Sequence, residues 1–170
     1  HILKAGNHLL ELINEILDLS QVEAGKLKIK LEPVDLFSLT NEICDLMQPI
    51  GVNHDVTLKN MISKNGTPYL NADKMRLKQV LVNLISNGIK YNRKGGEVVL
   101  SMEEIENKKI RIKFRDTGHG LSEEQKKIIF QPFERVGAES KKVDGAGIGL
   151  TITKYLVEMM EGHIDLESVV

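Results

Sequence analysis

Two asparagines spaced four residues apart have the chemistry to hold a metal ion. Asn83 and Asn87 lie in an apolar stretch that predicts a helix over 73–91, and this spacing places them on one edge of it. Asparagine is unfavourable inside a helix, so the pair is either half-exposed and solvated or presents two oxygen atoms to a hard cation. Mg²⁺ keeps most of its waters, so two amides and substrate phosphates would suffice. Lys90, one turn further, would bring a positive charge to a phosphate.

A glycine-containing stretch after the predicted strand 110–114 is a second candidate site. Its sequence, DTGHGL at 116–121, is common turn chemistry. The alternative is that Asp116 accepts a hydrogen bond from an exocyclic amine while the two glycines let a flat ring approach the backbone. His119 is predicted to be an exposed turn residue, and not a metal ligand or a phosphate acceptor.

A third stretch, GAGIG at 145–149, opens the predicted last helix, 148–160. Backbone N–H groups at a helix N-terminus bind phosphate, helped by the helix dipole. The stretch follows a polar segment, 135–147, and not a strand, which argues against a dinucleotide-binding fingerprint. A P-loop is also excluded, because the chain has no G-x-x-x-x-G-K-[ST] sequence. We predict that 135–147 is a mobile loop.

The elements that must position these sites begin with a long amphipathic helix. Apolar residues recur every seven positions in two rows, at 2, 9 and 16 and at 5, 12 and 19. This is the a/d pattern of a coiled coil or a four-helix bundle, and Gly25 predicts the end of the helix. Such a helix is not stable alone, so we expect its partners in another chain or in sequence outside this one.

Strands and helices alternate in the next part of the chain. Period-two alternation predicts a strand over 27–31 that Pro33 ends. Asp35 is expected to cap a helix running to about residue 47, where Pro49 and Gly51 break the pattern. A short strand is predicted over 56–61, followed by a turn region through residue 68. Asp73 is then expected to cap the helix that carries the two asparagines.

The remaining elements complete a mixed architecture. A hairpin is predicted from strands at 97–103 and 110–114, and Ser122 should begin a short helix with a capping box. Residues 163–166 should start a further strand. Strands intermingled with helices predict an α+β fold: a two-layer α/β sandwich with helices on one face of a mixed sheet, preceded by the long helix.

Composition excludes several classes of protein. The 170 residues carry 23 basic and 24 acidic side chains, and this near-balance argues against binding to nucleic acid or an anionic membrane. One cysteine, Cys44, rules out a disulfide framework and a cysteine-based zinc site. No apolar run approaches the roughly 20 residues that cross a bilayer, so we expect a cytoplasmic location for this part of the protein.

Four motifs in order resemble the catalytic region of sensor histidine kinases, within the wider family that has the Bergerat ATP-binding fold. RLKQVLVNLISNGIKY at 76–91 is similar to the N box, and DTGHGL to the G1 box. IIFQPFERV at 128–136 is similar to the F box, and GAGIGLTITK at 145–154 to the G2 box. LLELINEILDLSQVEAGK at 9–26 resembles the second helix of the hairpin for dimerisation and phosphotransfer.

The resemblance implies two parts of the chain and two ligands. Residues 1–25 would be the hairpin helix, residues 26–170 the ATP-binding domain, and the ligands ATP and Mg²⁺. Asn83 and Asn87 would hold Mg²⁺ and phosphates, and Asp116 would bind the adenine amino group. Lys90 and Arg135 would contact phosphate and, with Asn83, serve catalysis. The other implied nucleotide contacts are Tyr91, the pocket residues Gly118, Gly120 and Leu121, the lid anchors Phe130 and Phe133, and the G2 residues Gly145, Gly147, Ile148, Gly149 and Leu150.

The implied function is the ATP-binding catalytic part of a two-component sensor histidine kinase. It would transfer the γ-phosphoryl group to a histidine, from which an aspartate of a response-regulator receiver domain would take it. The box that holds the acceptor histidine is absent, and the family's last strands are expected beyond Val170. We therefore expect no autophosphorylation by this chain alone, and a homodimer through the first helix in the intact protein.

Two alternatives to a kinase remain. ATPases of the same fold, such as gyrase B, resemble the chain but carry a glutamate at the position of Asn83. Since an amide cannot take a proton from water as a carboxylate does, Asn83 favours transfer to a protein side chain over hydrolysis. The second alternative is a non-catalytic module in which the helix dimerises and the pocket senses nucleotide.

Overall fold

A computed structural model describes residues 6, 9–10, 13, 16–21, 24–64, 69–135 and 146–169. They form two compact units, described here separately: the sheet unit, residues 30–120, and the helical unit, residues of 1–29 and 121–170. The predicted turn at 65–68 and most of the predicted loop at 135–147 lie outside the described residues.

The sheet unit contains five strands and two long helices within its described residues. β2 pairs with β4 in parallel, and β4 pairs with β5 antiparallel, whereas β1 and β3 form a separate antiparallel pair. The predicted mixed sheet and hairpin are thus confirmed. The elements are β1 (Glu32–Asp35), α1 (Leu36–Asn53), β2 (Val56–Asn60), β3 (Tyr69–Ala72), α2 (Lys74–Lys90), β4 (Gly96–Ile105) and β5 (Lys109–Asp116).

The core of the sheet unit lies between one face of the three-stranded sheet and its helices. Val98 and Leu100 on β4 are fully buried, α1 packs on β2 and on α2, and α2 packs on β4 and β5. The other face carries ion pairs, such as that of Lys59 with Glu97 and that of Glu103 with Arg111. Helices on one face of a mixed sheet are the predicted α+β arrangement.

Helix α2 is fixed at its start by the carboxylate of Asp73. Oδ1 accepts the N–H of Arg76 at 3.1 Å, which is the predicted cap, and Oδ2 accepts the N–H of Lys30 at 3.0 Å. Burial raises the pKa of Asp73, but the N–H donors of Lys30, Arg76 and Met75 outweigh it and lower this pKa below its ordinary value. One side chain thus caps the helix and holds the segment that precedes β1.

The helical unit has two further helices and the end of the predicted N-terminal helix. The described residues at 6, 9–10, 13 and 16–21 are helical, and Gly25 has a φ of +61°. The N–H of Lys26 donates to the carbonyl of Gln21 at 2.9 Å, so the predicted glycine stop is confirmed. The two helices are α3 (Glu123–Ile128), which has the predicted capping box, and α4 (Gly149–Met159).

Apolar exposure marks the N-terminal helix. Leu9, Leu10, Ile13, Ile16 and Leu17 are exposed large hydrophobic residues. An apolar stripe without cover is what the predicted bundle helix requires, and its pairing stays a prediction. No helix in the described part of the chain is long and apolar enough to cross a bilayer.

Two boundary predictions around α1 are wrong. Residues 27–31 are not in a strand, since the N–H of Lys30 donates to Asp73 and not to a neighbouring strand. Pro33 does not end a strand but lies within β1, opposite Asn71, in a sheet of two strands where an edge position tolerates proline. Helix α1 also continues past Pro49, whose ring lies on the exposed side, to Asn53.

Two strands were predicted wrongly or not at all. The sequence pattern did not indicate β3, a strand of four residues whose partner is β1. The strand predicted from residue 163 is also wrong, because residues 162–169 are described and none is in a strand. In this segment Ser168 uses its hydroxyl to accept the N–H of Leu121 at 2.9 Å.

The capping role of Asp73 gives a stability prediction. Asp73→Ala should lower the free energy of unfolding by about 1–2 kcal/mol at pH 7, measured by urea titration, because two N–H donors lose their acceptor. The folded-state pKa lies below the unfolded one, so the carboxylate stabilises above the ordinary aspartate pKa of about 4. The difference between wild type and variant should shrink as the pH falls below the ordinary aspartate pKa and through the lower folded-state pKa of Asp73.

Asp45→Ala is the matched control, since Asp45 is exposed on α1. It should leave both the stability and its pH dependence close to those of the wild type. A difference for Asp73→Ala that is as large at pH 3 as at pH 7 would contradict the assignment.

Candidate functional site

The predicted amide edge is present on α2. Asn83, Asn87 and Lys90 are all half-buried, and the Nδ2 of Asn87 lies 3.5 Å from the Oδ1 of Asn83. The opposite stripe of the helix is buried, including Leu81 and Ile85, so the edge is turned away from the core. The structure therefore brings these three predicted residues together, on one side of one helix.

The donor set of this edge fits a hard cation that keeps other ligands. Two neutral amide oxygens suit Mg²⁺ only if water and phosphate oxygens fill its remaining positions. Within the described residues there is no group of three His, Cys, Asp or Glu side chains that could hold a metal alone. The edge is thus suited to a metal that arrives with a phosphate-bearing ligand.

Gly88 brings the second candidate site next to this helix. A Cβ placed on Gly88 would lie 3.1 Å from Cγ2 of Val98 and 3.6 Å from Cβ of Asp116. The helix therefore lies directly against β4 and against the end of β5. The sequence analysis missed Gly88, although an interior helix glycine costs about 1 kcal/mol relative to alanine and can indicate a close approach.

The loop after β5 forms the turn that the DTGHGL sequence predicts. The N–H of Gly118 donates to Oδ1 of Asp116 at 2.8 Å, a tight turn, whereas Oδ2 has no hydrogen-bond partner in the described part of the chain. A Cβ on Gly118 would lie 2.6 Å from the carbonyl oxygen of Tyr91, and Gly120 has a φ of +71°. His119 is exposed, as predicted. One carboxylate oxygen thus holds the turn and the other is available.

Within the helical unit, hydrogen bonds join the two segments that flank the predicted loop. The N–H of Phe133 donates to the carbonyl of Gly147 at 3.0 Å, on either side of residues 136–145, which lie outside the described part. Gly147 has a φ of +75°, and a Cβ there would lie 2.9 Å from the carbonyl oxygen of Glu134. The hydroxyl of Thr151 donates to the carbonyl of Phe130 at 3.1 Å. One backbone and one side-chain hydrogen bond therefore connect the F and G2 motifs.

The two phenylalanines that the resemblance implies as lid anchors differ in exposure. Phe130 is half-buried, with the Nζ of Lys154 at 6.0 Å from its ring centroid. Phe133 is 64% exposed and has a φ of +66°, a conformation that is strained for a bulky residue. Its contribution to this segment is its backbone N–H and not an apolar side-chain anchor. Arg135 is exposed.

The remaining predicted residues lie at the start of α4 and next to α3. Ile148 is fully buried and has no side-chain cap, so the first N–H groups of α4 have no capping side chain. Gly149 and Leu150 are half-buried in its first turn. Leu121 has its N–H bonded to Ser168, and Gly145 lies outside the described residues.

A cavity on the sheet unit is lined by none of the predicted site residues, although Thr117, next to Asp116, borders it. It has a volume of about 400 Å³ and is lined by Thr57, Lys59 and Glu97, among others. Thr57 and Lys59 alternate with the buried Val56 and Leu58, so they project from the sheet face opposite to the helices. The candidate residues of α2 do not line it.

The contact between Phe133 and Gly147 gives a prediction about local stability. Gly147→Ala should lower the hydrogen-exchange protection of the Phe133 amide about tenfold, because a left-handed alanine costs roughly 1–2 kcal/mol and its Cβ would meet Glu134. Gly95→Ala is the matched control, since Gly95 has a φ of +69° but open space around it. Unchanged protection of Phe133 in Gly147→Ala would refute the contact.

Comparison with known proteins places this geometry in a family. Residues 72–170 match the family described as "Histidine kinase-, DNA gyrase B-, and HSP90-like ATPase". Sensor protein GacS of Pseudomonas syringae pv. syringae is 37% identical over 97% of this chain and 19% of its own length. The circadian input-output histidine kinase CikA of Synechococcus elongatus is 37% identical over 98% of this chain and 22% of its own length.

A solved structure agrees with these relatives. Full-length ShkA in complex with AMPPNP has a TM-score of 0.80 and 30% identity, and the match covers 93% of this chain and 32% of that one. The chain spans about a fifth of the length of the curated relatives. The chain belongs to the histidine kinase-, DNA gyrase B- and HSP90-like ATPase family, as a catalytic ATPase region of the sensor histidine kinase type.

Proposed function

We propose that this chain binds Mg-ATP and supplies the catalytic part of a histidine kinase, transferring the γ-phosphoryl group to a histidine outside the chain. The observation that carries the proposal is the closeness of Asp116 to α2, which Gly88 permits. Because of it, one compact unit offers a hydrogen-bond acceptor for the adenine of a nucleotide and an amide edge for its phosphates. The binding of AMPPNP by ShkA supports a nucleotide as the ligand.

Asp116 is the residue that we assign to binding the adenine of the nucleotide. Its Oδ1 holds the turn through Gly118, so Oδ2 can accept a hydrogen bond from the adenine amino group. A side chain on Gly118 would meet the carbonyl of Tyr91, so glycine at this position lets the loop lie close to the end of α2. Tyr91, Gly120 and Leu121 are the further residues that we assign to this end of the ligand.

Asn83, Asn87 and Lys90 are the residues that we assign to the phosphates. The two amides would orient a Mg²⁺ ion bound to phosphate oxygens, and the ion would neutralise charge that develops on the transferred group. Lys90 would add a positive charge next to the same oxygens. From the helical unit we assign Arg135 to the γ-phosphate, and the N–H groups of 147–150 to phosphate oxygens. Gly145, Phe130 and Phe133 complete the proposed set.

Asn83 favours a kinase over an ATPase that splits water. A neutral amide cannot accept the proton of an attacking water, whereas a carboxylate can. Positioning and charge neutralisation are then the contributions of this chain, and the general base belongs beside the acceptor histidine.

The partners follow from the same assignment. Residues 1–25 would pair with a second copy through the exposed apolar stripe, and 26–170 would form the nucleotide-binding domain. A response-regulator receiver domain would take the phosphoryl group from the histidine, and the solved complex of histidine kinase ThkA with the response regulator TrrA supports this kind of partner.

Asp116→Asn tests the assignment of Asp116 to the adenine amino group. The Asn side chain keeps an oxygen for the N–H of Gly118 but turns an NH₂ group towards the adenine amine, so two donors face each other. ADP affinity, measured by calorimetry, should fall about tenfold or more, since a hydrogen bond to a charged group is worth about 1.5–3 kcal/mol. The unfolding midpoint should not change. The control Asp45→Asn, at an exposed position of α1, should bind ADP as the wild type does. Equal affinities in all three proteins would reject the assignment.

Asn87→Ala tests the metal assignment. The wild type should bind a non-hydrolysable ATP analogue more tightly when Mg²⁺ is added, and the variant should lose most of that gain while its Mg²⁺-free affinity stays within about twofold. The control is Asn71→Ala, because Asn71 is an exposed asparagine on β3 of the same unit. A variant that keeps the full gain would remove Asn87 from the metal site.

Phosphotransfer itself is tested with a supplied acceptor. The chain is incubated with radiolabelled Mg-ATP and a separate histidine-containing hairpin protein from a sensor kinase. Acid-labile label on the acceptor supports a kinase, free phosphate without labelled acceptor supports an ATPase, and binding without either product supports a nucleotide sensor.

A further inference from the structure

Asn92, two residues after the end of α2, has a side chain that is completely hydrogen bonded. Its Nδ2 donates to the carbonyl of Gly88 at 2.8 Å and to the carbonyl of Glu97 at 3.0 Å. Its Oδ1 accepts the N–H of Arg93 and the hydroxyl of Thr117, both at 3.0 Å. One half-buried amide thus connects the end of α2, the start of β4 and the loop that follows β5.

The orientation of this amide is determined by its neighbours. Carbonyl oxygens can only accept, so the two carbonyls at Nδ2 require the NH₂ group there. The reversed amide would place its oxygen against both carbonyls and its NH₂ group against the N–H of Arg93. The network therefore has one arrangement, and each polar atom of Asn92 has a partner.

Thr117 completes the connection from the other side. Its Oγ1 accepts the N–H of Glu97 at 2.9 Å, and its own N–H donates to the carbonyl of Glu97 at 3.2 Å. The hydroxyl has one hydrogen, for which the Oδ1 of Asn92 at 3.0 Å is a closer acceptor than the carbonyl of Glu97 at 3.5 Å. A Cβ on Gly96 would lie 2.2 Å from the Oδ1 of Asn92 and 2.6 Å from Oγ1 of Thr117, so the network fills the space that a glycine leaves open.

We propose that Asn92 and Thr117 are positioning residues for purine recognition, because they fix the Asp116 carboxylate relative to the end of α2. This inference rests on the proposed function, in which Asp116 accepts the adenine amine. Thr117 is joined directly to Asp116 through the peptide bond, and its hydroxyl and N–H fix the backbone there, so a shift of this backbone would displace the carboxylate. Thr117 also lies between Asp116 and Gly118, inside the turn that the Oδ1 of Asp116 closes with the N–H of Gly118, and Gly118 has no room to move towards Tyr91.

The consequence is a dependence of base selectivity on a hydroxyl that does not touch the base. Adenine presents an NH₂ donor at the position where hypoxanthine presents a carbonyl acceptor. A carboxylate at the correct distance favours the first and repels the second, whereas a displaced carboxylate distinguishes them poorly.

The test compares ADP with inosine 5′-diphosphate as calorimetric ligands of the 170-residue chain and three variants. Thr117→Val keeps the shape but removes the hydroxyl, and Thr117→Ser keeps the hydroxyl. Thr57→Val is the matched control, since Thr57 is an exposed threonine on β2. We define selectivity as the dissociation constant of inosine 5′-diphosphate divided by that of ADP. We expect this ratio to fall at least tenfold in Thr117→Val only, and to be recovered in Thr117→Ser.

The outcomes separate a positioning role from a structural one. Loss of affinity for both ligands by the same factor, with the ratio kept, overturns the positioning role. A wild type that does not prefer ADP overturns the proposed base assignment, and this inference with it. Asn92→Asp provides a second variant if Thr117→Val does not fold: it turns a carboxylate oxygen towards the carbonyls of Gly88 and Glu97, and an unchanged ratio in it also overturns the proposal.

Discussion

The close packing of α2 on the sheet is the constraint on which the sheet unit depends. Gly88 has Val98 and Asp116 within van der Waals distance of the position where a Cβ would be. With Leu81 and Ile85 fully buried on the same side, the helix has one allowed rotation about its axis. That rotation decides where the amides lie, since residues three and four apart share one edge. The chemistry of α2 is therefore fixed by its apolar stripe.

The parts of this arrangement that lie within one element could be predicted from the sequence. The spacing of Asn83 and Asn87 fixes their common edge as soon as the segment is a helix, and Asp73 is recognisable as its cap. Gly88 and Asn92 could not be interpreted in the same way, because their partners are on other elements. Asn92 bonds to Glu97 and Thr117, which only the packing of β4 and β5 brings to it. β1 and β3 were missed for the same reason, since each is a strand of four residues whose partner lies elsewhere in the chain.

The helical unit illustrates a second limit of sequence patterns, namely that a residue type does not say which of its groups acts. The resemblance implied that the phenylalanines Phe130 and Phe133 anchor a lid through their rings. In the structure the N–H of Phe133 makes the contact, while its ring is exposed. Gly147, proposed for its N–H, is also needed where Glu134 leaves no space for a Cβ. A glycine can meet both requirements, because backbone exposure and close approach both follow from a missing side chain.

Charge gives a reason for amides on α2 where a carboxylate could also bind a metal. In the proposed site the ligand carries several negative charges on its phosphates. A carboxylate in place of Asn83 would repel these phosphates unless the metal neutralised both the carboxylate and the phosphate oxygens. At 4 Å this repulsion is about 4 kcal/mol for an effective dielectric constant near 20. Amides avoid it but give up the ability to activate water. The acidic side chain proposed for ligand binding, Asp116, is assigned instead to the base, where the ligand presents a donor. The sheet unit would then bind ATP without a carboxylate that activates water. Bound ATP would therefore not be lost to hydrolysis before its phosphoryl group is transferred to the acceptor histidine.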